Sequence, residues 1–496
     1  MARRLAQALL LVVAVAVLPA AGGEPVDQES GGTVVDAGGG EVLVSATFAD
    51  GYKAFEKGHY DTAAGVLLGY LSAHDRDDER YEWAQFFLGI CLHELGYTHA
   101  AVDTLSSLVV LKPNSRIVSF SLELMEQISR SRPFDREQVL LDVLCEQEYG
   151  FVDPSLTDFV NYHQGLYDWE HGYVEWGNDH FRKLRPDTHY HRKYLYQKAL
   201  YLIYQDQLEP AAEILGRVTA DERVEPTLRD EARVTLARVR YEQQQWQDAE
   251  RSYRDLELPE QEQARYLLER AWVHFRMGSP EKAMGLLYAF EAPSFWRHFT
   301  PEYYVLKSLI YKDVCHYREA LGVVEEFTAK YQEALAFIRE RGEATDNDAM
   351  LLVLLEKPEI GRLYRFMNLL EEESAGIDTL PDPQLAAHLG RLYGLQKDQT
   401  RRQLQTALED EYERMAASLL RYQEQVHLLE YEIGLDMYQR VADYHFAGEQ
   451  ALDRAAGAST AEFAFQGEFW NDELDDYRVV LEDRCETAQE WDIFFQ

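Results

Sequence analysis

The sequence predicts an all-α protein: an α-solenoid of helical hairpins, then a long-helix C-terminal region. Three observations predict it. First, Ala63, Ala101, Gly177, Ala211, Ala249, Ala283 and Ala320 recur with Glu137 in the third place, at intervals of 38, 36, 40, 34, 38, 34 and 37 residues. Second, no proline interrupts the chain from Gln384 to His445, and Tyr412, Met415, Leu419, Tyr422, Val426, Leu429 and Ile433 step by 3 and 4 in alternation, which is a heptad seam. Third, 496 residues exceed one ordinary hydrophobic core, so several domains or a repeat array are expected.

At the N-terminus Arg3 and Arg4 precede an uninterrupted apolar run from Ala8 to Leu18, and the small residues Ala20, Ala21 and Gly22 follow. Basic, apolar, small is the order of a secretory leader, and the run is shorter than the roughly 20 residues of a membrane span. Residues 1–22 are expected to be a signal peptide, with an uncleaved anchor as the rival. Residues 23–46 are rich in Gly and polar side chains and read as a flexible linker.

Residues 47–345 carry the repeats. The clearest runs from Tyr81 to Pro113. Leu88 and Gly89 lie on one amphipathic helix, Gly96 at a turn, Ala101 and Leu105 on a second helix, and Pro113 after its end. Gly89 and Ala101 lack bulk, so the two helices can approach closely. The first repeat, Phe48 to Asp75, has Gly51, Gly58, Tyr60 and Ala63 in the same order. The fourth, Leu156 to Leu184, has Gly165, Gly172 and Gly177. The later ones carry Ala199 and Ala211, Ala237 and Ala249, Ala271, Gly278 and Ala283, and Tyr317 and Ala320. The spacing resembles the tetratricopeptide repeat (TPR), whose unit is about 34 residues. The resemblance covers about eight repeats from Thr47 to Lys330, and Glu137 departs from it. It implies stacked hairpins sharing one continuous core.

Residues 346–382 read as further helices, broken near Pro358, and a boundary loop with two prolines. Residues 383–446 read as one long helix. Its seam would bury against the repeats or, as the alternative, pair with a second copy. Residues 447–496 are acidic and aromatic, with Phe463, Phe465, Phe469, Trp470, Tyr477, Trp491, Phe494 and Phe495. They are expected to form a terminal helix or two that cap the solenoid.

Composition narrows the function classes. With 49 basic and 87 acidic residues the net charge is −38, and a surface this acidic repels phosphate backbones, which excludes nucleic acid as a natural partner. Loss of Arg3 and Arg4 with the leader would take the charge to −40 (−38 minus 2). Cys91, Cys145, Cys315 and Cys485 form no Cys-x-x-Cys pair, so zinc and thioredoxin-like sites find no support. Export permits disulfides, but three of the four lie in helical patterns, which favours buried thiols.

No catalytic constellation stands out: there is no nucleophile elbow, phosphate-binding loop or zinc helix. His163, His171, His180, His189 and His191 cluster in sequence without sharing a helical face, and His189 and His191 read as loop residues beside Pro186. No catalytic residue, metal or cofactor is expected. The resemblance implies that first helices line a concave face where partner peptides lie. By position the inward candidates are Trp83, Phe86, Tyr162, Trp169, Tyr196 and Trp272, although the same spacing suits packing between repeats. The expected function is a non-catalytic protein–protein interaction scaffold of the bacterial cell envelope, periplasmic or outer-membrane-associated. The alternatives are a groove that binds a small molecule, cation or glycan, or an enzyme with its site in the C-terminal region.

Overall fold

The structure, a computed structural model, describes residues 47–111, 116–131, 140, 142–145, 148–149, 152–254, 256, 260–292, 295, 298–340, 342, 347–447 and 477–485. The leader (1–22), the linker (23–46), Pro113, Glu137, Phe463, Phe465, Phe469, Trp470, Trp491, Phe494 and Phe495 lie outside the described residues.

Among the described residues the regular structure is helical throughout. Antiparallel hairpins follow one another: α1 (Phe48–Glu56) with α2 (Tyr60–Ala73), α3 (Tyr81–Glu94) with α4 (Thr98–Leu111), then α5 (Ile117–Ser131), the described helix of the third. Next come α6 (Thr157–Glu170) with α7 (Val174–Arg182), α8 (His189–Tyr204) with α9 (Leu208–Ala220), and α10 (Pro226–Glu242) with α11 (Trp246–Arg254). The last two pairs are α12 (Glu260–Arg276) with α13 (Pro280–Tyr288) and α14 (Pro301–Asp313) with α15 (Tyr317–Arg339). The array is an α-solenoid of TPR-like hairpins; the first three pack in succession, and so do the fourth to the eighth.

One turn geometry makes the hairpins alike. The chain reverses at Gly58, Gly96, Gly172, Asp206, Gln244, Gly278 and Cys315, all with φ between 58° and 90°. The following N–H then reaches the carbonyl five residues back, as in Tyr97 N to Leu92 O (2.9 Å) and His316 N to Tyr311 O (2.8 Å). This left-handed cap satisfies carbonyls that the helix end leaves open. Five residues beyond each turn residue stands the recurring small residue, from Ala63 to Ala320; the six alanines are fully buried, and Gly177 is buried too. Seven residues before the turn stands another small residue. A Cβ on Gly89 would lie 2.8 Å from Leu105 Cδ2, and Ala199, Ala237, Ala271 and Ser308 occupy the same register with no exposed surface.

Beyond the solenoid come α16 (Asp348–Leu355), α17 (Pro358–Ser374) and α18 (Pro383–Ala447). Asp382 Oδ1 accepts from the N–H groups of Gln384 and Leu385, both at 2.8 Å, and Pro383 follows at the first helical position, so the boundary loop ends in a helix cap. At 1.5 Å per residue α18 is about 100 Å long. Its first turns bury Leu385, Leu389 and Tyr393 in the core of the first two hairpins. Farther along, Met415 packs on α16 and α17, Leu419, Val426 and Leu429 join the core of α14–α15, and Ile433 joins Tyr317 and Ala320. The heptad seam is therefore filled from within the chain, and the face considered for self-association is occupied by its own solenoid.

Two expectations are corrected at the C-terminal end. Residues 477–485 are irregular rather than helical: Val479 N donates to Glu281 O and Arg484 N to Val314 O, each at 3.1 Å. This strap lies so close on α13 that a Cβ on Gly285 would collide with the Tyr477 carbonyl. Cys315 and Cys485 are disulfide-bonded, not buried thiols. The reason is local, since Cys315 is the turn residue between α14 and α15 rather than an interior helical position. Cys91 is a free buried thiol and Cys145 a free, partly exposed one. No helix among the described residues is long and apolar enough to cross a membrane.

Candidate groove on the inner face

The first helices of successive hairpins lie side by side. The residues they turn to the shared groove are set by distance from the turn. Six and two residues before the left-handed residue stand Leu200 and Tyr204 on α8, Arg238 and Glu242 on α10, and Trp272 and Arg276 on α12. These are i, i+4 pairs and so stack on one helical face. Tyr204 is 84% exposed. From α10 to α14 the face encloses a cavity of about 390 Å³ lined by Arg238, Tyr241, Glu269, Trp272, Arg276 and Glu302, among others.

An ion pair, a cation–π contact and a hydrogen bond to the long helix frame this cavity. Arg238 grips Glu269 with two parallel hydrogen bonds of 3.0 and 2.8 Å, a bidentate geometry that joins neighbouring hairpins. Burial works against the Arg238 charge, but the Glu269 hydrogen bond and charge outweigh it and the pKa rises. Tyr253 donates to the same carboxylate at 2.6 Å. Arg276 lies over the Trp272 ring, 5.8 Å from its centroid, within cation–π range. Glu302 accepts from Tyr422 of α18 at 3.2 Å, which ties the far wall to the long helix. Burial pushes the Glu302 carboxyl up, while Tyr422 and Trp272 pull it down. The buried Trp272 N–H lies close enough to act on Glu302 but completes no hydrogen bond of ordinary geometry.

Only Trp272 of the six inward candidates lines this cavity. Phe86 and Tyr162 are 1% and 0% exposed, so they are core residues and cannot touch a partner. Their positions, ten residues before the turn, point between hairpins. Tyr196 shares that register and is half-buried, with its hydroxyl 3.3 Å from Thr235 Oγ1. Trp83 stacks on Phe87. Trp169 packs on Phe181 and Tyr201 above the space that Gly177 leaves open. Sequence reasoning missed Leu200, Tyr204, Arg238, Tyr241, Glu269, Arg276 and Glu302; counting six and two back from each turn would have found four of them.

The histidines disperse. His163 bonds Phe159 O at 2.7 Å inside α6, and His171 stacks on Tyr167. His189 and His191 open α8, not a loop, with Thr188 as the cap that accepts from His191 N. No cluster of three or more metal-ligating side chains occurs among the described residues. The cavity's described lining offers aromatic surface and charges of both signs. That set suits binding.

No protein-family model matches the chain. No curated protein matches it either. Among solved structures it is similar to a tetratricopeptide repeat protein from Parabacteroides merdae ATCC 43184, at 14% identity and a TM-score of 0.23, over 57% of this chain and 91% of that one. It is also similar to a Rap protein complexed with competence and sporulation factor, at 13% identity and a TM-score of 0.26, over 73% of this chain and 98% of that one.

Proposed function

We propose that this protein is a non-catalytic scaffold of the bacterial cell envelope that holds an extended segment of a partner protein along the inner face, with Trp272 as the anchor. The observation that carries the reading is the Trp272 site: a large aromatic ring lining the groove between Arg276 and Glu302. A Trp so placed supplies contact area at small entropic cost. Arg276 and Glu302 of opposite sign would orient the segment. Two features support export: the N-terminal leader pattern and the Cys315–Cys485 pairing, which suits an oxidising compartment.

The test is partner retention by the full chain in its native host, with photo-crosslinking from position 241. Trp272→Ala should reduce the specific crosslink by about tenfold, the equivalent of 1.4 kcal/mol, measured at a temperature where circular dichroism shows both forms folded. Equal crosslinking by both forms would reject the groove. Mass spectrometry of the mature N-terminus tests export, and an intact Met1 would count against the leader.

A further inference from the structure

A second cavity, of about 880 Å³, lies where α6 and α7 meet Tyr149 and Val152. It shares no described lining residue with the groove around Trp272. The first is its floor. Asn161, Gln164 and Asp168 stand at i, i+3 and i+7 on α6; all three line the cavity and all are buried. Polar side chains on a buried helix face are costly unless paired, and these are fixed in place. Asn161 Nδ2 donates to Thr157 O at 2.8 Å and Gln164 Nε2 to Leu144 O at 3.0 Å. His180 bridges Asn161 Oδ1 (3.1 Å) and Asp168 Oδ2 (3.7 Å).

The second observation is an aromatic platform at the edge. Tyr173 and Trp176 stack with centroids 5.1 Å apart and planes at 27°, yet they are 49% and 63% exposed. The hairpin does not need them. Trp176 stands four residues after its turn, where the other hairpins place Thr62, Ala100, Pro210, Asp248, Lys282 and Glu319. An exposed Trp at a position that tolerates all of these has no packing reason to be there.

The third is charge. Among the described lining residues, Glu148, Asp168 and Asp179 against Lys183 give −2 (three minus one), which disfavours an anion. Asp179 is paired with Arg182, and no group of three or more metal-ligating side chains occurs among the described residues, which disfavours a metal cation. What remains is a flat apolar face beside side-chain amides, which donate and accept, and carboxylates, which accept. We propose that this cavity binds a neutral saccharide, one sugar ring lying on the Tyr173–Trp176 pair with its hydroxyls toward Asn161, Gln164 and Asp168.

The full chain would be titrated with N-acetylglucosamine trimer, cellotriose and maltotriose, followed by saturation-transfer NMR and calorimetry. Choline is the cationic probe. At least one trisaccharide should bind with Kd of ~1 mM or tighter. Trp176→Ala should weaken it about tenfold with the thermal midpoint kept, Trp176→Tyr should recover part of the loss, and Trp272→Ala should leave it unchanged. No binding by any trisaccharide, binding indifferent to Trp176→Ala, or Trp176-dependent binding of choline alone would each overturn the proposal.

Discussion

Ala101 shows how much of the molecule rests on side chains that are absent rather than present. It is fully buried on α4, one turn before Leu105, whose side chain meets Gly89 of α3. Ala101→Leu adds three carbons to a packed seam, and overpacking of this kind costs about 1–3 kcal/mol. Denaturant titration should show that loss; an unchanged midpoint would place residue 101 off the contact. A second residue-scale effect is electrostatic. Burial pushes the Glu250 carboxyl up, but His274 and Arg270 (2.8 Å) outweigh it and hold the pKa at about 2. Its folded value is below its unfolded one, so its contribution is complete above about pH 4.5 and fades as pH falls towards 2. Glu250→Gln should therefore lower stability at pH 7 by on the order of 2 kcal/mol, and the gap from the parent should close between pH 4.5 and 2. A gap independent of pH would assign the loss to packing.

At the scale of elements, the strap and the long helix are each held by a few identifiable contacts. The strap has backbone bonds to α13 and the α14–α15 turn, a hydrogen bond between His316 Nε2 and the Glu482 carbonyl at 2.7 Å, and the disulfide. Gly285→Val would put a branched side chain where the Tyr477 carbonyl lies and lift the strap. Hydrogen exchange over residues 280–288 should then rise while residues 48–111 stay protected. The disulfide spans 170 residues of sequence, and closing a loop of that size stabilises by about 3–5 kcal/mol. Cys315→Ser should lower the thermal midpoint under oxidising conditions and remove its sensitivity to dithiothreitol. A parent protein insensitive to dithiothreitol would show the bond to be immaterial to stability.

For the whole molecule, α18 matters because it is long enough to touch both ends. It packs on the second helices of the first two hairpins and, with α16 and α17, on the eighth. At the first end Tyr393 donates to Glu373 at 2.6 Å, and the same carboxylate oxygen accepts from His99 N at 2.9 Å. At the other end Lys312 meets Glu432 at 3.0 Å. A solenoid whose repeats touch only their neighbours can flex along its length; a helix fixed at both ends restrains that flexing and with it the curvature of the inner groove. Replacing both Leu385 and Leu389 with Asp should release the first end alone. Exchange should quicken in residues 98–111 and 358–374 and stay slow in 301–339. Uniform quickening would mean that the two anchorages act as one.

The sequence by itself determined the hairpin array. Turn residue, small residue five later and small residue seven earlier are local relations along one chain, and sterics force them wherever two helices must reverse and touch. The long helix was legible for the same reason: periodicity and the lack of proline are local properties. What covers its seam was not, because a heptad records that a face is apolar and not which surface meets it. The groove was legible only at Trp272. Phe86 and Tyr162 looked equivalent to it until the stacking of neighbouring hairpins decided which helical register is buried and which faces inward. Cys315 with Cys485, Glu302 with Tyr422, and His180 with Asn161 likewise depend on how the solenoid curves and where α18 crosses it. Those are sums over many small packing angles, and tertiary structure alone could fix them.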